Sequence, residues 1–123
     1  MDQVDKIADA WLMLSYFPEK SEEHEKNFWA FERLSNLCEN DPEAAWSVIE
    51  EIFQKDSNDL ILSNLGAGPL EDLLAKHGAQ FIDRIERRAA KDEKFRKLLG
   101  IVWRNEIPED VWQRIKAVAA PSW

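Results

Sequence analysis

Cysteine is nearly absent: Cys38 is the only one in 123 residues. A lone thiol closes no internal disulfide, which fits a reducing compartment. Histidine is almost as scarce. His24 and His77 lie on different segments, and neither has a His or Cys four residues away, so no zinc-type ligand pair is expected. Four Gly and five Pro are too few for a flexible linker, and a single domain over residues 1–123 is expected. No apolar run approaches the roughly 18 residues that a membrane span needs. The opening Met1-Asp2-Gln3-Val4-Asp5 is acidic where a signal peptide would be basic. These absences point to a cytoplasmic protein without metal, cofactor or membrane partner.

Tryptophan is abundant by contrast, with six residues, most of them where a helix would bury them. Along Pro42 to Phe53, a rotation of about 100° per residue puts Ala45, Trp46, Val48, Ile49, Ile52 and Phe53 on one side. Ser47, Glu50, Glu51 and Gln54 take the other. Asp41 is the expected cap and Pro42 the first helical residue. The lettering returns 66 residues later, with Pro108, Glu109, Trp112 and Ile115 matching Pro42, Glu43, Trp46 and Ile49.

Similar stripes occur along the whole chain. Val4, Ile7, Ala8, Trp11 and Leu12 mark a first helix, ended by Pro18. Phe28, Phe31, Leu34 and Cys38 form the expected core face of a second helix capped by Ser21, and Trp29 falls off that stripe. Short segments at Leu60–Leu65 and Leu70–Lys76 follow, then Ala79–Ala90 with Phe81, Ile82 and Ile85 inward. Phe95, Leu98, Leu99, Val102 and Trp103 mark the seventh, and Val111, Trp112, Ile115, Val118 and Ala119 the eighth. No segment alternates with a period of two, so no strand is expected. The fold class is all-α: a compact bundle of about seven or eight short amphipathic helices, with a short repeat-like superhelix as the alternative. Trp11, Trp46, Trp103 and Trp112 are expected in its core.

Charge is unevenly spread. Residues 1–61 hold 5 Lys/Arg against 15 Asp/Glu, a balance of −10, whereas residues 62–123 hold 11 against 9, a balance of +2. Excess acid aids solubility in any case; it also repels phosphate and attracts basic protein surfaces. The one basic concentration, Arg84 to Lys97, is interleaved with Asp83, Glu86, Asp92 and Glu93. That pattern suggests intrahelical ion pairs rather than a nucleic-acid surface. Its other use is self-association, with the patch of one copy against the acidic half of another in a homodimer.

Gly66-Ala67-Gly68-Pro69 has the glycines of a phosphate cradle but no preceding strand and no lysine. Gly66, Gly68 and Pro69 are expected instead to make a rigid corner between two helices, with at least one glycine at positive φ. Cys38, on a core stripe, is expected to be an inert packed thiol.

The segments Trp29-Ala30-Phe31-Glu32-Arg33-Leu34, Asn64-Leu65-Gly66-Ala67-Gly68-Pro69-Leu70-Glu71-Asp72-Leu73-Leu74 and Val102-Trp103-Arg104-Asn105 occur in that order. Together they resemble the bacterial family of small uncharacterised proteins called DUF6869, over roughly residues 26–118. The resemblance implies a bacterial origin and one domain; it implies no activity, cofactor or catalytic residue.

Two functional expectations remain. The first is a non-enzymatic module that occludes a basic surface of a protein partner, in the manner of immunity proteins, antitoxins or phage inhibitors. Its contact residues would be Trp29, flanked by Glu25 and Glu32, together with Arg104 and Asn105 just past Trp103. Trp29 could equally pack a neighbouring helix. The second is an enzyme whose polar groups converge only in three dimensions, from Glu71, Asp72, His77, Arg104 and Asn105.

Overall fold

The computed structural model describes residues 3–120. Helices α1 (Gln3–Tyr16), α2 (Glu22–Asn27), α3 (Trp29–Asn40) and α4 (Pro42–Lys55) come first. They are followed by α5 (Asp59–Leu65), α6 (Glu71–Lys91), α7 (Glu93–Leu99) and α8 (Glu109–Val118). A π-helical turn, Gly66–Leu70, joins α5 to α6. There is no strand among the described residues, so the all-α expectation holds. The chain divides into two compact units, residues 1–61 and residues 62–123. The division falls where the charge balance changes from −10 to +2.

In the first unit, α1, α3 and α4 pack against one another, and α2 lies against α1. Each of the three core helices buries an alanine completely, Ala8, Ala30 and Ala45, among larger neighbours such as Ile7, Leu34, Val48, Ile49 and Ile52. Mixing small and large inward residues lets such helices interdigitate. Helix α4 starts as its letters predict: the Asp41 carboxylate accepts from Ala44 N at 3.4 Å, with Pro42 at the first position. Its end is tied to α1 by Lys55, whose Nζ reaches Asp5 at 2.6 Å and Asp9 at 3.0 Å. The loop after α4 is clasped to α1 as well. Tyr16 donates its hydroxyl to Asp56, and Asn58 Nδ2 donates to the same phenol oxygen at 2.8 Å.

The expected second helix is two. Phe28, at φ −61° and ψ −25°, caps α2 and opens α3 without a side-chain bond. The buried stripe of α3 is Ala30, Leu34, Leu37 and Cys38. Phe28 and Phe31, expected inside, are 41% and 49% exposed. The inward face is rotated toward the small Ala30, because a compact crossing selects the residue that admits close backbones over the larger ring.

In the second unit, α6 packs against α7, α8 and the π turn, and α7 against α8. Phe81 and Phe95 are its fully buried aromatics, covered by the guanidiniums of Arg84 at 4.7 Å and Arg88 at 5.0 Å. Asp92 caps α7 by accepting from Lys94 N and Phe95 N, and it receives Arg88 Nη1 at 2.8 Å. Asp83 and Glu86 do not pair within their own helix as expected. Both go to Arg114 on α8, at 2.6 Å each.

Two further expectations are corrected here. Gly66, Gly68 and Pro69 link two helices, but through a π turn in which no glycine has positive φ. The wide turn keeps helical backbone across Pro69, so the left-handed break a corner would need is absent. The departure from helical geometry comes later, at His77, with φ −138° and ψ 25°. Trp103 lies beyond the end of α7 and is 71% exposed rather than buried, while Trp112 is half-buried. Trp11 and Trp46 are in the core.

Candidate functional site

Glu25, Trp29 and Glu32 all belong to the first unit, one turn apart across the α2–α3 junction, and all three are exposed. Because α3 buries Ala30 and Leu34, the residues beside them on the helix are turned to solvent. Trp29 is 47% exposed, and its sequence neighbours Phe28 and Phe31, which sequence reasoning placed in the core, are exposed as well. Phe28 stacks on Phe31 with centroids 5.3 Å apart, and His24 lies tilted to Phe28 at 6.0 Å. Exposed aromatic rings and the exposed Glu22, Glu23, Glu25 and Glu32 thus share the segment of residues 22–32. Arg33, on the same helix, is engaged with Gln3 Oε1 at 2.8 Å. Large exposed rings among charged residues are the make-up of an interface anchor.

Arg104 and Asn105 belong to the second unit, in the loop between α7 and α8. Arg104 donates from Nε to the Ile107 carbonyl at 3.2 Å and pairs through Nη1 with Glu109 at 2.5 Å. Asn105 adopts φ 43°, a left-handed conformation that asparagine tolerates, and donates its amide to Glu71. The loop is thus fixed by its own polar groups. Of the residues considered for catalysis, Glu71 and Asn105 are brought together. The Asp72 carboxyl is raised above its ordinary value, chiefly by desolvation, against the pull of Lys76. His77 sits at the α6 kink. Among the described residues no three His, Cys, Asp or Glu side chains gather as a metal-ion site would require.

Sequence reasoning missed one feature of the second unit. Leu99, Val102, Trp103, Trp112, Ile115 and their neighbours line an open groove of about 650 Å³. Ala119 and Ala120, just after α8, belong to its lining, and they are held in place by Ala120 N donating to Arg96 O at 3.0 Å and Arg96 Nε donating to Val118 O at 3.1 Å. Gly100 permits this approach: a Cβ there would stand 2.4 Å from the Ala120 carbonyl oxygen. Treating Trp103 as a core residue concealed the groove. The signal available in the sequence was Gly100, which ends α7 before Trp103.

No helix among the described residues is long and apolar enough to cross a membrane. Neither a curated protein nor a solved structure matches the chain. A family model does, over residues 18–122. The chain belongs to the family of unknown function DUF6869.

Proposed function

We propose that the protein is a non-enzymatic binding module of the bacterial cytosol whose acidic first unit occludes a basic surface on a protein partner. The observation that carries this reading is the α2–α3 segment, where Phe28, Trp29 and Phe31 stay exposed along the same stretch as Glu22, Glu23, Glu25 and Glu32. Burying such rings would supply affinity, and a balance of −10 in that unit would steer a basic partner toward it. Immunity proteins, antitoxins and phage inhibitors work through this kind of occlusion. A second copy, offering the Arg84–Lys97 stretch, is the homodimeric version of the same contact.

Affinity capture from native cytosol with the wild-type chain, Trp29→Ala and the pair Glu25→Lys, Glu32→Lys tests the proposal. Proteins of basic surface charge should be retained by the wild type and lost with both variants. Trp29→Ala should weaken binding by at least about 1 kcal/mol while folding survives. Raised salt should slow association more than it speeds dissociation. A captured set unchanged by either variant would remove the patch from consideration. The enzymatic alternative is supported by the contact of Asn105 with Glu71; a turnover lost in Glu71→Gln, with partner capture intact, would favour it.

A further inference from the structure

The groove of the second unit lies on neither the aromatic patch nor the acidic charge used above. Its floor is aliphatic, from Leu99, Val102 and Ile115, and two indoles border it. Trp103 is 71% exposed although burial of an indole is among the largest gains a small domain can make. Arg104 and Lys116 are also in the lining; both attract Glu109, which is not part of it, and no acidic side chain is among the described residues that line it. Arg104 is positioned by Ile107 and Glu109 through Nε and Nη1, and neither contact uses Nη2. A volume of about 650 Å³ is ample for one large side chain and the backbone on either side of it.

We infer that this groove receives an acidic peptide segment that inserts one aromatic side chain between Trp103 and Trp112. Carboxylates flanking that ring would meet Lys116 and the Arg104 guanidinium. A nucleic acid strand is also anionic and aromatic, but the aliphatic floor offers no donor or acceptor to a base edge. The chain's net charge of −8 further opposes a polyanion. The occupant is therefore a peptide, and its acid is local.

Calorimetric titration of the full chain with a capped pentapeptide, one phenylalanine between pairs of glutamates, tests the inference. Saturable binding is expected, at least tenfold weaker for Trp103→Ala and at least fivefold weaker for Lys116→Glu. Both positions are exposed, so each variant should melt like the wild type. The same peptide with lysines replacing the glutamates should bind at least tenfold more weakly. No saturation at millimolar peptide, equal affinity for the two peptides, or preference for an oligothymidine would overturn the assignment. So would a sedimenting dimer that Trp103→Ala dissociates, because a second copy would then be the occupant.

Discussion

Gly78 on α6 and Val111 on α8 approach so closely that a Cβ on the glycine would stand 2.9 Å from Val111 Cγ1. Both residues are buried, and Gly78 follows directly on the His77 kink. The glycine therefore serves the crossing of two helices. Gly78→Ala should destabilise by about 1–3 kcal/mol through overpacking, and adding Val111→Ala should recover part of that loss. Gly68 is the contrast, with nothing within 4 Å of a Cβ and no positive φ. Gly68→Ala should therefore cost less than Gly78→Ala, its one steric opponent being the ring of the following Pro69, which disfavours helical backbone at a residue that carries a Cβ. Urea denaturation of the two single variants checks the pair; equal effects would refute it.

The tryptophans should separate cleanly by burial. Trp46→Ala should cost about 3–5 kcal/mol, since its ring lies in the core of the first unit. Trp103→Ala should change stability by no more than about 0.5 kcal/mol. Thermal melting followed by circular dichroism distinguishes them, and a Trp103→Ala variant as damaged as Trp46→Ala would contradict the exposed placement.

Asp92 joins a helix cap to an ion pair. Asp92→Ala should lose about 1 kcal/mol, because the Lys94 and Phe95 amides lose their acceptor. Asp92→Asn retains an acceptor and should lose less. Hydrogen exchange at the first turn of α7 should quicken in the alanine variant; unchanged protection there would argue against the cap.

Acid should weaken the second unit by a route whose sign is fixed. The Arg114 hydrogen bond holds Glu86 below its ordinary value of 4.5, and the Arg88 hydrogen bond holds Asp92 below 3.8. Glu109 is lowered as well, first by Gln113 and then by the attraction of Arg104. A carboxyl lowered on folding stabilises above its unfolded value, and that contribution disappears as pH falls through the folded value. Asp72, raised by desolvation, works in the opposite direction and offsets part of the loss. Denaturant midpoints should therefore drop below about pH 4.5, within the range of the unfolded carboxylates. Arg114→Met should flatten the drop by releasing Glu86. An unchanged slope in that variant would show that the pair contributes nothing.

How far the structure could be foreseen depended on what set each helix face. The α4 stripe was legible because its apolar residues are continuous and Asp41-Pro42 marks its start; the observed buried residues are the same six. In α3 two stripes competed, and both contain Leu34 and Cys38. Ring size favoured Phe28 and Phe31, while packing against α1 and α4 favoured Ala30. One-dimensional periodicity carries no information about how near a neighbouring backbone comes. Trp103 failed for a related reason. Helix α7 closes at Leu99, so a helical spacing carried four residues further projected the indole inward. At the candidate surface, helix phase put Trp29 off the expected core stripe with Glu25 and Glu32 a turn away on either side, but it left open whether the indole packed a neighbouring helix; its exposure comes from the structure. The aromatic neighbours, the contact of Asn105 with Glu71 and the groove beside Trp103 depend on tertiary placement.

Tyr16 is the only tyrosine in the chain, and its contacts with Asp56 and Asn58 give that fact an optical consequence. The hydrogen bond to Asp56 pushes the phenol above its ordinary value of 10. A group raised on folding stabilises below its unfolded value, and the contribution is lost as pH rises through the folded one. Tyrosinate absorbance, free of overlap from any other phenol, should thus appear later in the native protein than in Asp56→Asn. One ultraviolet titration becomes a gauge of whether the loop after α4 remains closed on α1, and the six indoles do not obscure it, because they do not ionise.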